Sequence, residues 1–306
     1  MDYVLQTFGL TKKYGRKNAV DHVDMHIAPG DIYGFVGENG SGKTTVIRLV
    51  SGLIRPNEGR FELFGADSQG SGINSARKKL GAIVETPSIY RNMSARDNLR
   101  MQSAVIGMND EARITEVLET VGLSNVADDK KKAGNFSLGM RQRLGIAMAL
   151  LGDPEFLILD EPMNGLDPAG IVEVRELILR LNREKNMTFL ISSHILTELS
   201  LVATKYGVIS SGRLIKEITA QELKAECGKA VYIEAEDGDA LFELLTSALP
   251  ENEVLREGRG VKVRGEADID LVLRTVIESG NRIKTVNCAD VGFEEYYLEL
   301  VGGKRK

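Results

Sequence analysis

The sequence predicts an α/β protein with a mostly parallel core sheet, followed by a smaller α+β domain. Continuous apolar runs such as "IYGFV" and "FLILD" are typical of strands that are buried on both faces of a sheet. Helical patterns alternate with these runs, which favours a parallel sheet covered by helices. After residue 221 the predicted order is strand, helix, strand, strand, helix, strand, as in a ferredoxin-like fold.

Length and composition fit two ordinary globular domains, which we place at residues 1–220 and 221–306. The chain has 306 residues, 42% hydrophobic and 27% charged, and a domain commonly contains about 150 residues. The formal net charge of −5 argues against a nucleic-acid partner. No apolar run approaches the ~18 residues of a membrane span, and the N-terminus lacks a signal pattern. We therefore expect a cytoplasmic protein, with Cys227 and Cys288 as reduced thiols.

The first predicted strands of the chain precede an inserted helical lobe. The apolar residues of "VDMHI" alternate, which predicts a half-buried strand, and "IYGFV" predicts a buried strand. Between Ile54 and a helix that starts near Asn109, the sequence offers short strands such as "RFELFG", Gly/Ser-rich turns and a capping box, Ser94-x-x-Asp97. This change in the sequence pattern predicts an inserted helical lobe with exposed loops.

Later elements return to the core sheet. "FLILD", "MTFLISS" and "YGVIS" predict three more strands. Asp167 and Pro168 predict the N-cap and first position of a long helix. The residues that this helix is expected to bury are Ile171, Val174, Ile178 and Leu181.

The most specific motif is "GENGSGKTT", residues 37–45, which fits Gly-x-x-x-x-Gly-Lys-Thr. Its glycines let backbone N–H groups turn toward phosphate oxygens, and the following helix adds the positive end of its dipole. Lys43 would reach the β- and γ-phosphates of ATP, and Thr44 would help to hold Mg²⁺. The alternative is a turn that binds nothing. The predicted nucleotide contacts of this phosphate loop are Gly37, Glu38, Asn39, Gly40, Ser41, Gly42, Lys43, Thr44 and Thr45.

Two further segments carry chemistry. "FLILDEP" ends a buried strand with Asp160, a candidate Mg²⁺ ligand, and Glu161, which is placed to activate the attacking water. In "NFSLGMRQR", Ser137 and Gly139 stand at the start of a helix and predict a second anion site, although Ser137 could be only an N-cap. One ATP does not need two such sites. A head-to-tail dimer would use both, with each nucleotide lying between two subunits.

These motifs, in this order, resemble the ATP-binding subunits of ABC transporters over roughly residues 3–211. The resemblance implies a P-loop NTPase fold with an antiparallel β subdomain and a helical lobe. It also implies that Lys43, Glu161 and His194 act in ATP hydrolysis, with His194 sensing the γ-phosphate, and that Tyr14 stacks on adenine. From the residues alone, His194 could be a capping or core histidine and Tyr14 an edge-strand aromatic.

Departures from the usual family pattern are informative. The signature segment, residues 137–140, is "SLGM" in place of the more common SGGQ, and Met163 replaces a threonine or serine. Most members have a glutamine where this chain has Glu85. That glutamate and the C-terminal extension make the chain similar to the bacitracin and lantibiotic exporters. The resemblance implies that Glu85 touches Mg²⁺ or the attacking water and contacts the membrane subunit, whereas its alternative is an ordinary loop glutamate.

The expected function is therefore an ATPase subunit that drives export through a separate integral-membrane permease. It would use ATP and Mg²⁺, pair with itself or with a paralogous ATPase subunit, and lie peripherally on the inner face of the membrane. Its cargo is expected to be a peptide antibiotic. Two alternatives remain open: a soluble ABC-type ATPase that acts on DNA or ribosomes, and a regulatory module in which ATP turnover is secondary.

Overall fold

The chain separates into two compact units, Met1–Ala220 and Gln221–Lys306, and each is described by itself. The division falls where the sequence changes from the βα pattern to the C-terminal α+β pattern. The computed structural model describes residues 2–126, 131–227, 229–264, 269–290 and 293–302.

Within its described residues, the first unit contains eleven strands and seven helices, and an eighth helix starts at its last residue. Two short 3₁₀ turns, Ser124–Val126 and Ala133–Asn135, precede the fifth helix. The strands are β1 (Leu5–Tyr14), β2 (Lys17–Val23), β3 (His26–Ile27), β4 (Ile32–Val36), β5 (Glu58–Leu63), β6 (Ala66–Asp67), β7 (Leu80–Ile83), β8 (Phe156–Asp160), β9 (Thr188–Ser193), β10 (Lys205–Ser210) and β11 (Arg213–Thr219). The helices are α1 (Lys43–Val50), α2 (Ile73–Arg77), α3 (Ala95–Val105), α4 (Glu111–Thr120), α5 (Leu138–Leu150), α6 (Pro168–Lys185), α7 (Leu196–Ser200) and α8 (Ala220–Cys227).

Two sheets form the framework of this unit. The core sheet has six strands in the order β11-β10-β4-β9-β8-β7, and every neighbouring pair is parallel except β10–β11. The second sheet is antiparallel, with β2-β1-β5-β6 in line and β3 paired to β1. Every residue of β4, β8 and β9 is buried, as their continuous apolar sequences predict. The predicted α/β architecture is confirmed.

Helix starts follow the predicted caps. Ser94 Oγ accepts a hydrogen bond from Asp97 N at the start of α3, and Asp167 Oδ1 accepts one from Gly170 N at the start of α6. Helix α6 begins at the predicted Pro168. Of the four residues expected to be buried, three are buried and Ile171 is only half-buried, while Gly170 and Leu177 are buried in addition.

Two local predictions are wrong. "VDMHI" is not one strand, because β2 ends at Val23 and β3 holds only His26 and Ile27. Asp24 turns out of the sheet there, and its carboxylate accepts a hydrogen bond from the amide of Gly9. "RFELFG" does not belong to the helical lobe. Residues 60–63 of this segment lie in β5 and pair with β1 in the antiparallel sheet, and α3, α4 and α5 make up the lobe.

The second unit has the predicted ferredoxin-like order. Its elements are β12 (Lys229–Ala235), α9 (Gly238–Ala248), β13 (Glu253–Glu257), β14 (Gly260–Arg264), α10 (Ile269–Glu278), β15 (Ile283–Asp290) and α11 (Phe293–Gly302). The antiparallel sheet has the order β13-β14-β12-β15. Inward residues of β12 and β14 pack against α9 and α10 in a separate core that includes Val231, Leu241 and Val272.

Ion pairs hold the terminal helix α11 to this sheet. The Lys262 ammonium lies 2.7 Å from a Glu295 oxygen, and the Arg264 guanidinium contacts both Glu295 and Glu299. Burial alone would lower the pKa of Arg264, but the hydrogen bonds that its guanidinium donates to Glu299 and Glu295 raise it above its ordinary value. Because Arg264 is mostly buried, its contacts with α11 fix the position of that helix more firmly than exposed ion pairs would.

Gly207 in β10 offers a sharp test of packing in the core sheet. A Cβ at this position would lie 2.0 Å from the hydroxyl of Tyr33, which is fully buried and donates to Glu217. We expect Gly207→Ala to cost about 1–3 kcal/mol through overpacking and to lower the melting temperature by roughly 2–10 °C. Gly152→Ala is the control, since its nearest neighbour would be 4.0 Å away. Equal melting temperatures for both variants would contradict this account.

Candidate active site

The phosphate loop, the two acids and the predicted histidine gather where three parallel strands end. Ser193 of β9 lies opposite Val36 of β4, and Asp160 of β8 lies opposite Ser192 of β9. The loop after β4, the acids after β8 and the histidine after β9 therefore share one edge of the core sheet. Ligands of open α/β sheets bind at this carboxyl edge.

The backbone of the phosphate loop is packed too closely for side chains at two of its glycines. A Cβ on Gly37 would lie 2.4 Å from the carbonyl oxygen of Ile209, and one on Gly42 would lie 2.5 Å from that of Ala19. Gly42 also has a φ of 114°, and Gly40 has a φ of 80°, both in the region that favours glycine. The loop therefore turns directly from β4 into α1.

Lys43 reaches back inside the phosphate loop. Only 5% of the residue is exposed, and its ammonium donates to the carbonyl oxygens of Gly37 at 2.6 Å and Glu38 at 3.2 Å. A carboxylate oxygen of Glu161 lies 3.6 Å away. Burial lowers the pKa of Lys43, while Glu161 and Asp160 oppose this effect by stabilising its charge. The positive charge is thus buried beside two acids.

The two acids after β8 have different surroundings. Asp160 is 2% exposed, and its carboxylate accepts a hydrogen bond of 2.5 Å from the hydroxyl of Ser192. Glu161 has a left-handed backbone with a φ of 50°, and its amide donates to the same hydroxyl at 2.9 Å. Ser192 therefore holds the turn that separates a buried acid from a more accessible one, whose side chain is 22% exposed.

His194 contacts the accessible acid. Its Nδ1 lies 2.8 Å from Glu161 Oε2, and its side chain is 33% exposed. Glu161 therefore lies between the ammonium of Lys43 and the ring of His194. Three of the four predicted catalytic side chains, Lys43, Glu161 and His194, are brought together, and Glu161 contacts both of the others. The fourth, Glu85, pairs instead with Arg48.

A cavity of about 360 Å³ adjoins the phosphate loop, and we call it the base-side cavity. Tyr14 ends β1 at its rim and is 50% exposed. The side chains of Thr44 and Thr45 start α1 and are half-buried, whereas Glu38, Asn39 and Gly40 are exposed. The cavity is lined by Tyr14, Lys17, Asn18, Ala19, Glu38, Asn39, Gly40, Ser41, Ser210, Ser211 and Gly212.

The signature segment lies on the helical lobe. Ser137 is the N-cap of α5, and its exposed hydroxyl accepts a hydrogen bond from the amide of Met140. Gly139 is buried, and a Cβ there would lie 3.5 Å from the Cα of Gly170 at the start of α6. The side chain of Leu138 is 44% exposed. This segment thus presents a helix N-terminus to solvent, on a different helix from the phosphate loop.

Glu85 differs from the expectation in its position. The strand β7 ends at Ile83, two residues earlier than "GAIVE" predicts. Glu85 has a φ of 63°, its side chain is 60% exposed, and its carboxylate pairs with the guanidinium of Arg48 on α1. Its roles toward Mg²⁺ and water remain predictions.

Sequence reasoning missed two residues at the site, Ser192 and Asp21. The hydroxyl of Ser192 donates to the carboxylate of Asp160 and accepts from the backbone amide of Glu161. Its signal in the sequence was the "SSH" segment at the end of a buried strand. Asp21 accepts hydrogen bonds from His22, Arg213 and Asn18, and these bonds lower the pKa of its carboxyl group. This cluster ties β2 to the start of β11, beside the base-side cavity. Asp21 had no motif to reveal it, because its partner is far away in sequence.

The residues present fit Mg²⁺ and a nucleoside triphosphate. Ser41 Oγ is buried and has no hydrogen-bond partner among the described residues, so it is available to a ligand of the loop. The loop also supplies backbone N–H groups, a lysine and the N-terminus of α1 for phosphate oxygens. The Thr44 hydroxyl and the Asp160 carboxylate are the oxygen donors that Mg²⁺ prefers. Fold and site together define a P-loop nucleoside triphosphatase.

Comparison with known proteins gives the family. The family model described as "ABC transporter" matches residues 20–164. The chain is 39% identical over 310 residues to the bacitracin transport ATP-binding protein BcrA of Bacillus licheniformis, covering 99% of each chain. It is 41% identical over 214 residues to the lantibiotic transport ATP-binding protein SrtF of Streptococcus pyogenes, covering 70% of this chain and 90% of that one.

A solved structure agrees with these relatives. The ADP conformation of MJ1267, an ATP-binding cassette of an ABC transporter, matches with a TM-score of 0.65 and 25% identity, over 72% of this chain and 93% of that one. The chain belongs to the ATP-binding proteins of the ABC transporter family, and its reaction is ATP hydrolysis coupled to transport. None of the helices in the described ranges combines the length and hydropathy that a membrane crossing requires.

Glu161 is the most direct test of the site. We expect Glu161→Gln to lower ATP turnover at least ~100-fold, because an amide cannot accept the proton of the attacking water. ATP binding should persist, since Lys43 and the phosphate loop are unchanged. Turnover and nucleotide affinity are to be measured in Mg-ATP. Glu155→Gln is the control, because Glu155 is an exposed acid whose only ion pair among the described residues is with Lys79. Near-normal turnover of Glu161→Gln would exclude Glu161 as the base.

Proposed function

We propose that this protein is the ATPase subunit of an exporter of peptide antibiotics, acting in resistance or immunity. The observation that carries the proposal is the likeness to the bacitracin transport protein BcrA along 99% of both chains. That likeness includes the C-terminal unit, not only the common ATPase part. The lantibiotic transport protein SrtF supports the same cargo class, since bacitracin and lantibiotics are both peptide antibiotics.

The proposed chemistry assigns one role to each side chain. Lys43 and the loop amides hold the phosphates, and Tyr14 supplies an aromatic face for adenine at the rim of the base-side cavity. Thr44 and Asp160 would hold Mg²⁺, which neutralises phosphate charge during transfer. Glu161 orients the attacking water and accepts its proton, and His194 keeps Glu161 in place through its 2.8 Å contact.

We further propose that two ATPase subunits close head to tail. Ser137 and Gly139 lie at the N-terminus of α5, where Ser137 is exposed and Gly139 is buried, on a different helix from the one that follows the phosphate loop. An ATP bound to the loop of one subunit would be completed by the signature segment of the other. Moving an equilibrium from 1:99 to 99:1 needs about 5.5 kcal/mol, which two triphosphates with several charge-assisted hydrogen bonds can supply. Hydrolysis would remove these contacts and reopen the pair.

The head-to-tail dimer predicts that a change at Ser137 affects dimerisation and hydrolysis but not ATP binding to the isolated chain. Ser137→Arg should leave ATP binding to the isolated chain unchanged, because the phosphate loop is intact. It should abolish ATP-dependent dimerisation and lower hydrolysis at least ~100-fold, because a bulky side chain would stand where the other subunit's nucleotide docks. Size in Mg-ATP and turnover are the measurements, and the exposed Ser247→Arg on α9 is the control. A Ser137→Arg variant that hydrolyses ATP normally as a monomer would contradict the dimer.

The surface for the permease is proposed at a groove between the core sheet and the lobe. This groove has a volume of about 840 Å³, and we call it the lobe groove. Leu53 and Ile106 line it and are 63% and 42% exposed. Thr86, Pro87 and Ser88, which follow Glu85, also line it. A cytoplasmic helix of a permease fits such a groove as an amphipathic helix with an apolar face.

Resistance of cells tests the cargo and the groove together. Deleting the gene should sensitise cells to at least one peptide antibiotic in a panel of bacitracin and lantibiotics, and the intact gene should restore resistance. Leu53→Glu should fail to restore it and fail to co-purify a polytopic membrane protein, because burying a carboxylate against an apolar helix face is costly. Its ATPase activity in isolation should stay normal.

The control is Leu271→Glu, which is similarly exposed at 51% on α10 and lies outside the lobe groove. Restored resistance with Leu53→Glu would exclude the groove as the permease surface. Unchanged resistance of the deletion strain to every peptide in the panel would exclude the proposed cargo. Failure to co-purify any membrane protein with the intact chain would instead favour a soluble ATPase.

A further inference from the structure

Arg48 and Glu85 form an ion pair that lies outside the contacts of Lys43, Glu161 and His194. Arg48 lies in the last turn of α1, five residues after Lys43, and its guanidinium contacts the carboxylate of Glu85. Glu85 follows β7, on a segment that lines the lobe groove from residue 86 onward. The pair therefore connects the helix that carries the phosphate loop with the segment that enters the lobe.

This pair is poorly suited to a purely structural role. The side chains of Arg48 and Glu85 are 38% and 60% exposed, and exposed pairs contribute little to folding stability. Glu85 nevertheless has a φ of 63°, a left-handed conformation that non-glycine residues adopt only when their surroundings hold them there. The contact with Arg48 holds the carboxylate toward α1. Because this ion pair orients Glu85 but adds little to the free energy of unfolding, it can break and re-form at little cost in free energy.

Beyond Glu85, the same segment packs against the helix of the signature. A Cβ on Gly145 in α5 would lie 2.5 Å and 2.6 Å from the Cβ and Cγ atoms of Pro87. The rigid ring of Pro87 therefore occupies the space that Gly145 leaves open. Helix α5 begins at its N-cap, Ser137. A displacement of the segment would press on α5 in the middle of this helix.

We propose that Arg48 is a positioning residue that ties the phosphate loop of the chain to its own signature segment. The route runs along α1 to Arg48, through the ion pair to Glu85, and through Pro87 and Gly145 to α5 and Ser137. The inference rests on the proposed role of Ser137 as a site for the opposite subunit's nucleotide. It assigns the carboxylate of Glu85 to Arg48 rather than to Mg²⁺. Phosphate binding at one site thereby influences the helix that completes the other site.

Charge reversal tests this pairing in the purified full-length chain. Arg48→Glu and Glu85→Arg should each lower kcat for ATP about 5- to 10-fold or more, while the Kd for ATP stays within about twofold because the phosphate loop is untouched. Combining the two reversals should restore kcat to within about threefold of the unchanged protein, since the opposite charges face each other again. Glu85→Gln keeps an oxygen acceptor for Arg48 and should stay within about tenfold.

Matched controls separate the pair from general effects of charge and packing. Arg100→Glu and Glu111→Arg reverse another exposed pair, on α3 and α4, with side chains 51% and 53% exposed, and should change kcat less than about twofold. Gly145→Ala should lower kcat, measured at a temperature where the variant is fully folded, because its methyl group would overpack against Pro87 and displace it. Gly152→Ala, which meets nothing closer than 4.0 Å, should leave kcat unchanged.

A double reversal that is no more active than the weaker single variant would overturn the proposal. Loss of apparent Mg²⁺ affinity in Glu85→Arg, without rescue by Arg48→Glu, would overturn it in favour of Glu85 as a metal ligand. Restored kcat supports it whatever the resistance panel shows, because the ATPase readout does not involve cargo. Restored kcat in the double reversal, together with unchanged resistance of the deletion strain, would therefore support the connection through Arg48 and Glu85 and exclude the proposed cargo. Failed rescue of kcat, together with the expected loss of resistance on deletion, would overturn that connection and still support the exporter.

Discussion

The register of three neighbouring parallel strands is the constraint on which the rest of the site depends. Pairing of β4, β9 and β8 brings Val36, Ser192, Ser193 and Asp160 to the same edge of the sheet. Slippage of one strand by one residue would turn every one of its side chains to the opposite face of the sheet. The fully buried apolar residues of these strands keep the register fixed, since both faces of the sheet are covered.

Electrostatics at this edge are arranged around Glu161. Its carboxylate lies near a buried ammonium on one side and an imidazole on the other. Burial penalises the charge of Lys43, and the nearby acids offset part of that penalty. An uncompensated charge at this depth would be costly. The same neighbours that stabilise Lys43 also fix the orientation of Glu161, so binding of phosphate and placement of the proposed base are linked through shared contacts.

The helical lobe and the C-terminal unit show two different ways of attaching an element. Pro87 and Gly145 meet by close packing, which transmits displacement because interiors are dense. Helix α11 is instead held to its sheet by Lys262 and Arg264, whose partners are Glu295 and Glu299. Exposed members of such a network respond to salt, whereas packed contacts do not. The proposed connection between the phosphate loop and the signature segment combines both kinds of contact. Its exposed ion pair is Arg48 with Glu85, and its packed contact is Pro87 with Gly145.

The sequence by itself determined the elements whose signals are local. The apolar runs predicted β4 and β8 within their observed bounds, and the caps Ser94 and Asp167 predicted the starts of α3 and α6. The phosphate loop and the acids after β8 could be recognised because their residues are contiguous. The ferredoxin-like order of the second unit followed from alternation and turns. Each of these signals depends on neighbours within about one helical turn or one strand.

Only the tertiary structure decided which distant side chains meet. It joined "RFELFG" to β1 because strand pairing connects residues that are far apart in sequence. It ended β7 before Glu85 and placed that carboxylate against Arg48, 37 residues away. It made Ser192 a partner of both acids and Asp21 a partner of Arg213. Such contacts depend on sheet order and side-chain direction, and these arise only when the whole unit packs, because no local pattern specifies them.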